Sequence, residues 1–139
     1  MSEKVLSAEE ILAQPADAYM NEQKLAFFHQ LLMDQRLDLQ TRIDSEFKAL
    51  REYEPGSDVA DIGAAEEQRQ WQLRLLEREK KLLDKIDEAL NRIADGSYGW
   101  CDETGEPIGL RRLMLRPTAT LCIEAKERQE QQEKHVREI

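Results

Sequence analysis

Leu50-Arg-Glu-Tyr-Glu-Pro-Gly-Ser-Asp-Val-Ala-Asp-Ile-Gly63 is the stretch that decides how this chain folds. Pro55 disfavours helix in Glu54, and Gly56 tolerates the turn that follows, so a helix arriving from upstream stops here. Asp58 is then well placed as an N-cap, and Asp61 falls in the first turn, where a carboxylate meets the positive end of the helix dipole. A helix stop followed at once by a helix start makes a hairpin.

Both arms carry an apolar stripe. Upstream, Asn21 offers an N-cap, and Leu25, Phe28, Leu32, Leu39, Ile43, Phe47 and Leu50 recur at mostly three-, four- and seven-residue steps. Downstream, Leu75, Leu82, Ile86, Leu90 and Ile93 carry the facing seam, and Ala89 narrows it. Residues 21–95 therefore read as a long antiparallel coiled-coil hairpin with an acidic tip at 54–63. Each arm of about 33 residues spans roughly 50 Å at 1.5 Å per residue.

The flanks are shorter pieces. Residues 1–20 form an N-terminal arm with one short helix, opened by the capping-box pattern Ser7-Ala-Glu-Glu10 ahead of Ile11 and Leu12 and ended by Pro15. Gly96 suits the end of the second hairpin helix, and residues 96–139 read as a small knuckled module with a charged helix from about Cys122 to Val136. The fold class expected is mainly α.

Composition narrows the function. The 139 residues are 35% charged and 6% aromatic, which suits long solvated helices better than a large core. Twenty basic side chains against 29 acidic ones give a net charge of −9, which repels a phosphate backbone and argues against free-standing DNA binding. No apolar run approaches the roughly 20 residues that span a bilayer, and Met1 to Gln14 lacks the layout of a signal peptide. A cytoplasmic protein with reduced thiols is the reading that follows.

Those thiols occupy a suggestive frame. Cys101-x-x-Thr104, seventeen residues, then Cys122-x-x-Ala125 holds half the ligands of two Cys-x-x-Cys knuckles. Structural zinc needs four ligands in a closed tetrahedron, and neither a hydroxyl of threonine nor a methyl of alanine replaces a thiolate there. Three readings of the pair stand open: small buried apolar groups, a redox pair, or half of a weak metal site. Trp100, Ile108, Leu110, Met114, Leu115 and Leu121 supply apolar mass that can hold the module without metal. Arg78, Lys81 and Lys85 share one face of the second helix, a stripe that Glu77, Asp84 and Glu88 balance. His29 and His135 lie apart without a nucleophile, and no P-loop, dinucleotide fingerprint or His-Glu-x-x-His motif occurs, so no enzyme is expected.

Taken in order, Asp58-x-x-Asp61, Gly96-Ser-Tyr98-Gly99-x-Cys101 and Arg111-Arg112-Leu113-x-x-Arg116-Pro117-x-Ala119-x-x-Cys122 resemble the DksA/TraR family of bacterial RNA polymerase regulators. The resemblance spans nearly the whole chain. It implies a coiled-coil hairpin beside a globular module with a zinc ribbon and a C-terminal helix, the hairpin entering the secondary channel of RNA polymerase. It further implies that Asp58 and Asp61 are directed at the polymerase active site. Guanosine tetraphosphate (ppGpp) is the effector it implies, and the positions matching the family's nucleotide contacts are Arg78, Lys85, Arg116 and Lys126, all basic here. Thr104 and Ala125 depart from the four-cysteine pattern, so the chain resembles the zinc-free variants, in which zinc is not expected and no other cofactor is implied. Leu115 stands where the family often has alanine, and Gly63 follows the tip where alanine is usual. The expectation is a monomeric regulator of promoter open complexes in the stringent response, without sequence-specific DNA or membrane binding. A Gre-like transcript cleavage factor and a coiled-coil adaptor are the alternatives.

Overall fold

The computed structural model describes residues 6–14, 19–52 and 59–138. Among these are five helices: α1 (Ala8–Leu12), α2 (Glu22–Glu52), α3 (Val59–Asp95), α4 (Leu110–Leu115) and α5 (Ile123–Glu138). No strand occurs among the described residues, and one isolated bridge joins Trp100 to Pro107. The mainly α class expected from the two apolar stripes is what forms. With 31 and 37 residues, α2 and α3 are about 47 and 56 Å long at 1.5 Å per residue.

The chain separates into two compact units, Met33–Asp87 and a second made of Met1–Leu32 with Glu88–Ile139. In the first, α2 and α3 run antiparallel, and Arg36 Nε donates to Asp87 Oδ1 at 2.7 Å. Both partners are partly exposed, so this pair marks the register more than it stabilises it. Leu39, Ile43 and Leu50 of α2 and Ala65, Leu76 and Ile86 of α3 form the buried row. Glu79 sits in that same row.

The seam on α3 keeps Ile86 and Ala89 as read in the sequence but takes Leu76 in place of Leu82. Leu76 is buried, whereas Leu82 is 45% exposed. Six residues at 100° each place these two leucines far apart around the helix, so only one can face α2. Phe47 also stays on the outside, with the Arg51 guanidinium 5.1 Å from its ring centroid.

In the other unit the N-terminal segment contributes to the core. Ser7 caps α1 through the reciprocal bonds of a capping box with Glu10, and Ile11 is completely buried where α1 packs against α4. Asn21 caps α2, its Oδ1 accepting from the Lys24 N–H at 2.9 Å. At the far end of α3, Gly96 takes φ +87°, and both its N–H and that of Ser97 donate to the Arg92 carbonyl. That left-handed glycine ends the helix as expected. Phe28, Leu32 and Ala89 from the two long helices complete the core with Tyr98 and Leu113.

Candidate functional site

Three sets of residues carry the sequence-based expectations: the tip acids, the basic quartet and the broken metal frame. Asp58 lies outside the described residues. Asp61 stands exposed in the first turn of α3, and the helix runs unbroken through Gly63, where an added methyl would meet nothing within 4 Å. The tip carboxylate is therefore free to meet a partner, and its location on a helix end gives it the dipole's support.

Arg78 and Lys85 are exposed on α3 within the Met33–Asp87 unit. Arg116 and Lys126 belong to the other unit. Arg116 is exposed just after α4, and Lys126 is half-buried in the first turn of α5, with Nζ donating to Gln129 Oε1 at 3.2 Å. Each unit thus carries two of the four.

The frame around the cysteines does come together. Cys101 N–H donates to the Glu106 carbonyl and Gly105 N–H to the Cys101 carbonyl, closing a tight knuckle. Asp102 N–H donates to the Thr120 carbonyl, which ties that knuckle to the segment leading into α5. Cys101, Cys122 and Ala125 are all buried, and Thr104 Oγ1 lies 3.8 Å from Cys122 Sγ. Burial pushes the Cys101 thiol up, but the Thr104 hydroxyl and the backbone N–H groups of Cys122, Thr104 and Glu103 outweigh it and bring it down to about 6.

The residues present do not fit a four-cysteine zinc centre, because two of the four positions offer a neutral hydroxyl and a methyl. Among the described residues no group of three or more His, Cys, Asp and Glu is placed to hold a metal ion.

The apolar support differs from expectation in membership. Ile108 is buried, but Trp100 is 39% and Leu115 85% exposed. Leu115 follows buried Leu113 by two residues on a one-and-a-half-turn helix, so it points away from the core. Two tyrosines, to which sequence reading assigned no task, hold the module instead. Tyr98 is 1% exposed, its ring centroid 5.5 Å from that of Phe28, and its hydroxyl donates to the Pro117 carbonyl at 2.7 Å. Burial raises its pKa, so the phenol remains a donor. Tyr19 donates to the Gly99 carbonyl at 2.6 Å and accepts from the Gly109 N–H at 3.0 Å, with its ring edge-on to Trp100. Gly99 permits this approach: it sits at φ +91°, and a Cβ there would fall 2.9 Å from Met20. The signal available in sequence was the placing of Tyr98 between Gly96 and Gly99.

Two long antiparallel helices, an exposed acid in the first turn of the second, and a cysteine knuckle of zinc-finger type are features of a class of helical regulators. The chain matches two family profiles, "DnaK suppressor protein DksA, N-terminal domain" over 24–93 and "Prokaryotic dksA/traR C4-type zinc finger" over 96–131. The chain belongs to the DksA/TraR family, whose members of the DksA type are transcription factors and not enzymes. It is 44% identical to the "RNA polymerase-binding transcription factor DksA" of Caulobacter vibrioides, covering 85% of this chain and 84% of that one. The Escherichia coli protein of the same name is 37% identical, with 88% and 82% covered. Among solved structures, transcription factor DksA2 from Pseudomonas aeruginosa superposes with a TM-score of 0.86 at 69% identity, covering 93% of this chain and 100% of that one. No helix of the described residues is long and apolar enough to cross a membrane.

Proposed function

We propose that this chain regulates transcription by binding RNA polymerase in its secondary channel. Asp58 and Asp61 then act near the polymerase active site and shift the stability of promoter open complexes. The observation that carries this reading is the match over most of the chain to relatives named as RNA polymerase-binding transcription factors. The exposed Asp61 on a helix end supports it, since a carboxylate presented at the end of a hairpin reaches basic groups inside a channel that a broad surface cannot.

Guanosine tetraphosphate is the effector of this reading, with Arg78, Lys85, Arg116 and Lys126 as its cations. A nucleotide with so many phosphate charges needs several basic partners, and forked guanidinium groups suit it best. In an otherwise acidic protein these four make the contact permissible. The protein works in the cytoplasm as a monomer, without membrane or sequence-specific DNA contacts. In this reading 1–20 serves as the arm, 21–95 as the hairpin and 96–139 as the gripping module.

Addition of purified protein to RNA polymerase is expected to lower output from a ribosomal RNA promoter, more strongly with guanosine tetraphosphate. An unchanged promoter in both conditions would reject the reading. Shortened transcripts from backtracked complexes would favour a Gre-like cleavage factor, and failure to bind polymerase at all would favour an adaptor.

The same reading needs no zinc. The backbone bonds of Cys101 with Glu106 and Gly105 and the Tyr19 and Tyr98 bonds support the knuckle without a metal. Exhaustive chelation is expected to leave the thermal midpoint and promoter activity unchanged, with native mass spectrometry giving the mass of the chain alone. Unfolding by chelator would refute zinc independence.

A further inference from the structure

Glu79 is the one acidic side chain in the buried row between α2 and α3 among the described residues, and it is 8% exposed. Across from it, on α2, stands Glu46. The Oε2 atoms of both are buried, and neither has a hydrogen-bond partner in the structure. Two orphaned carboxylate oxygens meeting in an apolar seam need a physical account, because a buried acceptor without a donor carries its full desolvation cost.

Neighbouring groups do not supply one. Glu79 from α3 and Arg42 from α2 are the charged groups that act on Glu46. Arg42 draws it down, but burial and the facing carboxylate both push the other way, and the net direction is upward. Like charges at hydrogen-bond range cannot both ionise cheaply, so one proton between them removes the repulsion and turns two orphan acceptors into a donor and an acceptor.

We propose that Glu46 and Glu79 share a proton across the hairpin, and that this acid-to-carboxylate bridge makes the Met33–Asp87 unit tighter as the medium becomes more acidic. Protonation of one carboxyl breaks no covalent bond. The proton comes from solvent and returns to it as pH rises. Since the folded state holds that proton to a higher pH than an unfolded chain does, the contribution to stability is complete below the ordinary glutamate range. It is lost as pH climbs through the raised folded value. The position of the bridge matters because its two helices are the ones that border the turn ahead of Asp61. It sets how firmly they are held together, whatever partner the hairpin meets.

Carboxyl carbon resonances followed by NMR through a pH titration of the full-length protein test this directly. The Glu46 carboxyl is expected to titrate above the ordinary glutamate range. In Glu79→Gln, whose amide donates permanently to Glu46, the Glu46 midpoint is expected to fall back toward that range. Amide hydrogen exchange, expressed as protection factors, is expected to slow in α2 and α3 of wild type as the pH is lowered from neutral into the ordinary glutamate range. Glu46→Gln and Glu79→Gln should each lose that gain. A wild-type Glu46 that titrates within the ordinary glutamate range overturns the proposal, as does an acid gain that persists in both variants. Magnesium or calcium ions that protect wild type at neutral pH and fail with either glutamine variant would also overturn it, by assigning the pair to a cation instead.

Discussion

Asp61→Asn is expected to leave RNA polymerase binding nearly intact while weakening promoter regulation about ten-fold or more, the scale of losing a charge-assisted hydrogen bond. The substitution keeps shape and polarity and removes only the charge. Asp61 is exposed in the first turn of α3 and lines no part of the buried row, so the fold does not depend on it. The two quantities separate cleanly in measurement: an affinity from direct binding, and the protein concentration giving half-maximal effect on a ribosomal RNA promoter. Equal losses in both would mean that the tip grips the polymerase and does not act on its centre. No change in either would remove Asp61 from the mechanism.

The second large effect falls on structure. Tyr98→Ala is expected to destabilise the unit built from Met1–Leu32 and Glu88–Ile139 by about 3–5 kcal/mol, as for other large aromatic truncations in a core. Such a loss is a large share of the roughly 5–15 kcal/mol that holds a typical domain folded. Tyr98 fills the space beside Phe28 and anchors the chain at Pro117, so its removal opens a cavity and strands a carbonyl together. Tyr98→Phe isolates the second part. It keeps the ring and is expected to cost about 1–3 kcal/mol for the unsatisfied acceptor. Thermal unfolding followed by circular dichroism reads both, and a Tyr98→Ala protein as stable as wild type would show that the module is held elsewhere. If metal were the true support, added zinc would rescue the variant.

These two predictions divide as the sequence itself did. Asp61 was legible because its position follows from local rules: a proline and glycine stop one helix, and an acid belongs in the first turn of the next. Tyr98 was visible as part of a motif, but no local rule said that its hydroxyl would cross to Pro117. Leu82, Phe47 and Leu115 failed for a related reason. Spacing identifies a stripe broad enough for either of two adjacent rows, and only the facing helix selects the row that is buried. On α3 that selection took Leu76 and Glu79 and left Leu82 outside.

Sequence alone determined the two long helices, the cap residues Ser7, Asn21 and Gly96, and the loss of two thiol positions at 104 and 125. Each depends on neighbours within a few residues, where backbone geometry and side-chain type suffice. Tertiary structure decided the rest. It turned Glu79 into the seam opposite Glu46, folded the short helix of Ile11 onto α4, and brought the Thr104 hydroxyl to 3.8 Å from the Cys122 sulfur. Those outcomes join residues up to about ninety positions apart, as in Tyr19 with Gly109. Contacts of that range are set by which surfaces exclude water together, and no local pattern carries that information.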